Sequence, residues 1–240
     1  MVSTRHHPRE FPSPEKAAKE LVKSSPAPTT NGTSRKWVHT PSAALTIWLV
    51  VSLPLVAWDA ACQEADCTPQ SGPPYALYGT VDYIYGWPAY NARNGFTAAQ
   101  TVMNIVETLG YLYYLYIVYA HGATITSGRG AQKQRTKGLL WLLAGEKVVA
   151  GKTGATALLV AYTASVMTLS KTLLYWFNEF FSGFDNIGHN DAATLIFLWI
   201  IPNGLWIVFP TYSVYTLGAE ILNSLEQATS RGKPGRPKAI

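Results

Sequence analysis

Long stretches with almost no charge dominate the middle of this 240-residue chain, and they constrain its fold more than any other feature. Four reach about 20 residues or more. The first is roughly 43–62, "AALTIWLVVSLPLVAWDAAC", and the second roughly 97–119, "TAAQTVMNIVETLGYLYYLYIVY". The third is roughly 155–181, and the fourth roughly 192–218, "AATLIFLWIIPNGLWIVFPTYSVYTLG". A helix of that length covers the hydrocarbon of a bilayer at about 1.5 Å per residue. Buried helices of a large soluble core are the alternative, but such helices usually keep a polar face. The pattern predicts an all-α integral membrane bundle of four transmembrane helices with disordered cytosolic tails.

Charge sets the orientation. Of 19 Lys and Arg residues, seven lie in residues 1–40, six in 120–153 and four in the C-terminal tail. The 63–95 segment holds only Arg93, and 182–191 holds none. Excess positive charge marks cytosolic segments, so both termini and the 120–153 loop are expected in the cytosol. Residues 1–41 form a Pro- and Ser-rich tail, 42–222 the membrane domain and 223–240 a basic tail. The first apolar run starts too late and is too long for a signal peptide. "PEKAAKELVKS" reads as a short surface helix, and the "NGT" triplet at Asn31 should stay bare on the cytosolic side. The basic tails suit anionic headgroups of membrane lipids, and no nucleic-acid partner is expected.

The middle loop contains "GEKVVAGKTG", which imitates a phosphate-binding loop. Its glycine spacing is one residue too long, and no strand is expected before it, which argues against a nucleotide. "LLWLLAG" is too short to span and is expected at the membrane surface. Cys62 and Cys67, without a nearby His, make a poor metal site, and an oxidising lumen leaves their pairing open. No cofactor is called for.

Chemistry points to the polar residues inside these runs. Asp59 and Glu179 lie near the lumenal ends of the first and third spans. Glu107 and Lys171 sit deeper, each about ten residues or roughly 15 Å in, so they are matched for an ion pair. Asn203 and Trp206 share a face of the fourth span, one turn apart. An ionisable group at mid-membrane costs about 2.5 kcal/mol or more on insertion scales, so it needs a partner or a polar cavity. The carboxylate in "LLYWFNEFFSGF" (173–184) raises the same question: why place Glu179 among aromatics? Two readings are open, headgroup-level anchoring or a shared pocket. In a pocket, one carboxyl could donate a proton and another accept it, while an indole faces a transient cation.

Asp59 in "LPLVAWD", Asp82 in "YALYGTVD", Glu107 in "VET", "YWFNEFFSGF" and "PNGLWIVFP" together resemble the EXPERA domain. That family includes the sterol delta-eight to delta-seven isomerase and the sigma-two receptor. The resemblance covers roughly 42–222. It implies a multi-pass protein of the endoplasmic reticulum that takes a sterol-like or polycyclic lipid. Glu179, Asp59 and Glu107 would be its catalytic acids, and Trp206, Asn203 and Asp82 its substrate-binding residues.

Asp59 takes the place of the Glu in the family's His–Glu pair, and Leu55 stands where the His would be. The resemblance thus implies an isomerase moving a lipid double bond. The other reading is a non-catalytic protein of the sigma-two receptor type that binds sterols or cationic amphiphiles. Membrane terpene cyclases share the size and the intramembrane acids but have more helices. A homodimer is left open.

Overall fold

The computed structural model describes residues 37–64, 73–124, 142 and 147–231. The expectations for "PEKAAKELVKS", Asn31, most of "LLWLLAG", the last residues of the basic tail and the Cys62–Cys67 pairing lie outside the described residues.

The described chain is mostly helical. Strand β1 (Val38–His39) leads into helix α1 (Ala43–Glu64). Helix α2 (Pro73–Val81), a 3-10 turn (Tyr83–Tyr85) and helix α3 (Trp87–Asn91) follow, then helix α4 (Phe96–His121). Strands β2 (Ala123–Thr124) and β3 (Lys147–Ala150) precede helix α5 (Gly151–Phe181). The last helical run, α6, is α over Ala192–Thr194, π over Leu195–Ile200 and α again over Ile201–Arg231.

Three helices among the described residues are long and apolar enough to cross a membrane: Ala43–Ala61, Gly151–Phe181 and Ala192–Ser230. Helix α4 has the length, but Tyr111, Tyr113, Tyr114, Tyr116 and Tyr119 make it less apolar. Large side chains such as Val51, Leu109, Phe197 and Val208 point outward and are exposed, as a lipid-facing surface requires.

Inside, α4 packs against α1 and α5, and α5 packs against α6. Leu45, Leu49, Tyr114, Val118, Ala157 and Ala161 fill the shared core. Small residues on α4 and α5 bring these helices close: a Cβ at Gly110 would stand 3.5 Å from that of Ala164.

Three differences from the sequence reading have physical causes. The 63–95 segment is no plain loop, since α2, the 3-10 turn and α3 occupy it. A strand does precede Gly151. The β-branched pair in "KVVA" forms the centre of a three-stranded antiparallel sheet, β1–β3–β2, with Val38 opposite Ala150 and Ala123 opposite Val148. Gly151 then turns into α5 at φ 65°, a conformation glycine adopts without cost. Finally, α6 continues past residue 222 to Arg231.

His39 and Trp37 tie this sheet end to α6. The His39 ring lies 3.0 Å from the Glu220 carboxylate, and Trp37 Nε1 donates to Ser224 Oγ at 2.7 Å.

Candidate functional site

A cavity of about 270 Å3 lies among α1, α2, α4, α5 and α6. Helical periodicity brings its wall together, because residues three or four apart share a face. Helix α1 contributes Leu55, Trp58 and Asp59, and α6 contributes Pro202, Asn203 and Trp206. From α4 come Gln100 and Asn104, and from α5 Lys171, Thr172 and Tyr175. Tyr78 and Tyr85 complete the aromatic part.

The polar part is a chain of hydrogen bonds across three helices. Asn104 Nδ2 donates to Asp59 Oδ2 at 3.5 Å. Lys171 Nζ donates to Asn104 Oδ1 and, at 2.9 Å, to Glu107 Oε2. Thr168 Oγ1 donates to the same Glu107 oxygen at 2.9 Å and lies 3.1 Å from the Tyr111 hydroxyl. The depth-matched pair of Glu107 and Lys171 therefore forms, with side chains 5 % and 10 % exposed. A charge so shielded from water depends on its partner.

Trp206 is fixed from behind. Its ring meets Trp48 edge-on at 4.9 Å, and Trp48 stacks on Phe209 at 4.5 Å. Asn203 Nδ2 donates to the Trp199 carbonyl at 2.9 Å, where the π segment and Pro202 interrupt the regular ladder, and lies 3.4 Å from the Tyr78 hydroxyl. Burial is the main cause that pushes the Tyr78 phenol up, so it remains a hydrogen-bond donor.

Asp59, Asn203 and Trp206 thus meet in one wall. The other three expected site residues stand elsewhere. Glu107 is absent from this cavity and lines a smaller neighbouring chamber.

Asp82 lies behind the wall and is fully buried. Its Oδ1 accepts from Ile84 N at 3.0 Å, and its Oδ2 from Trp199 Nε1 at 2.8 Å and from the Tyr175 hydroxyl. It positions Tyr175 and does not touch the cavity. Burial raises the Asp82 carboxyl above its usual range, against the pull of Tyr175 and Trp199. The folded state therefore holds this proton more tightly than the unfolded one. Its contribution to stability is full below about pH 4 and is lost as pH rises through the raised value. Thermal unfolding across a pH series should show this decline, and Asp82→Asn should flatten it.

Glu179 faces the loop instead of the ligand space. It is 1 % exposed, and its Oε1 accepts from Asn186 Nδ2 at 2.6 Å. Its carbonyl accepts from Phe184 N at 2.9 Å and Ser182 Oγ at 3.1 Å. Phe177, Phe180 and Phe181 point outward on the other side of the helix. The carboxylate in the aromatic run ties down the 182–191 connection, and α5 does not bring it to Asp59 or Trp206.

Sequence reasoning missed Asn104, Gln100 and Tyr175. One signal was available: Asn104 lies three residues before Glu107, and Tyr175 four after Lys171, so each shares a helix face with a recognised polar residue.

Compared with known proteins, the chain matches no family model, no curated protein and no solved structure.

Proposed function

We propose that this chain is a four-span membrane protein of the EXPERA type that takes a sterol-like or related polycyclic lipid into the cavity and moves a double bond in it. One observation carries this reading. Asp59 and the Asn203–Trp206 pair, more than a hundred residues apart in the chain, converge on the same aromatic-walled space. The volume of about 270 Å3 is near the lower end of ligand pockets, so part of a polycyclic ligand would project from it.

The step balances on one group. Asp59, in its acid form, gives a proton to one alkene carbon. The cation, on the other alkene carbon, faces the Trp206 π surface, and the Asp59 carboxylate then removes a proton from the saturated carbon beside it, which leaves the double bond one position along. Complementing a sterol-isomerase-deficient yeast, with sterol profiling, tests the activity. Restored delta-seven sterols support it, and an unchanged profile with the protein expressed opposes it.

A second reading is a non-catalytic binder of sterols or cationic amphiphiles. Leu55, where the family pattern has His, favours it, as does the distance of Glu179 from the cavity wall. In that reading Asp59 pairs with the ligand cation beside Trp58 and Trp206.

The fourth span in this proposal is α4, its exposed Tyr113, Tyr116 and Tyr119 serving as an interfacial belt. We place the protein in the endoplasmic reticulum with both termini in the cytosol. Reporters in both tails and in 125–146 should report cytosol, and those in 65–72 and 182–191 should report lumen. Opposite sides for the two tails would remove α4 as a crossing.

A further inference from the structure

Behind Trp206 lies a second space. Glu107 is 4 % exposed, and its Oε2 accepts from Lys171 and Thr168. Its Oε1 is buried and has no hydrogen-bond partner among the described residues. Glu107 lines a chamber of about 20 Å3, together with Ser52, Asn104, Tyr111, Thr168 and Trp206. Asn104, Trp206 and Val56 line both spaces, so they form the partition between them.

A buried carboxylate oxygen without a donor is costly, and native structures rarely leave one so. A water molecule needs roughly 10–15 Å3 of such space and two to four polar neighbours. The chamber meets both needs, with hydroxyls from Ser52 on α1, Tyr111 on α4 and Thr168 on α5 around Glu107.

We propose that this chamber is a single-water site whose water donates to Glu107 Oε1 and completes the hydrogen bonding of the Glu107–Lys171 pair behind the cavity wall. Where the isomerase reading holds, on which this role rests, the water fixes Glu107 and, through the hydrogen bonds from Lys171 to Glu107 and Asn104 and from Asn104 to Asp59, the position of Asp59 in the ligand cavity.

Infrared spectra of the intact protein in nanodiscs, in ordinary and oxygen-18 water, test the site apart from turnover. The native protein should show an isotope-shifted O–H band of an internal water that is lost in Ser52→Val, which fills the chamber. Ser52→Thr, adding one methyl group and keeping the hydroxyl, serves if the valine variant does not fold. An isotope-sensitive spectrum identical in native and filled variants, both folded, overturns the water site. A band with no turnover of any sterol leaves the site standing and opposes the isomerase reading alone. Turnover with no band overturns the water site and leaves the isomerase reading standing.

Discussion

Asp59→Asn should lower turnover by about 100-fold or more while the protein remains folded, because proton transfer by a positioned group supplies that order of acceleration. The substitution keeps the side chain's shape and its place 3.5 Å from Asn104, yet removes the one carboxylate among the described residues of the cavity wall. Trp206→Leu should retain binding of neutral sterols but lose rate, since it removes the π face and keeps apolar bulk. Sterol turnover by purified variants, with thermal unfolding as the control for folding, checks both. Full activity in Asp59→Asn would return the carboxylate to a structural role. In the binding reading, the same variant should instead weaken cationic amphiphiles and spare neutral sterols, so titration with both ligand types separates the readings.

The largest stability effects should come from Glu107 and Lys171. Glu107→Gln leaves the Lys171 ammonium buried without its counter-charge, and Lys171→Met leaves the Glu107 carboxylate so. Breaking one partner of a buried pair costs about 3–5 kcal/mol, whereas removing both leaves no unpaired charge. The double variant should therefore be more stable than at least one single variant, a coupling that a double-mutant cycle reads directly. Additive losses would mean that the 2.9 Å contact contributes nothing as a pair.

The sequence disclosed this pair because depth can be counted along a helix. Two charges ten residues from opposite ends of antiparallel spans have few other places to go. It disclosed three helices long and apolar enough to cross a membrane for a similar reason, since apolar length is a property of composition alone. Other features depended on contacts that no local pattern carries. Glu179 read as a pocket acid because a carboxylate among aromatics suggests chemistry, and Asp82 as a substrate-binding residue because of the EXPERA resemblance. The structure gives them hydrogen-bond donors from distant segments: Trp199 and Tyr175 for Asp82, Asn186 for Glu179.

The sheet was hidden because its strands are two to four residues long, and because β1 (Val38–His39) pairs with the far-off β3 (Lys147–Ala150). The position of Tyr175 in the wall depends on the buried carboxylate behind it, so neither residue was interpretable without the other.

The decisive experiment incubates the purified protein in nanodiscs with a panel of unsaturated sterols in heavy water. The native protein should form a product with a shifted double bond and one deuterium bound at the newly protonated carbon, and Asp59→Asn should not. Unshifted sterols throughout, with no saturable sterol binding by a folded protein, would contradict the proposed function.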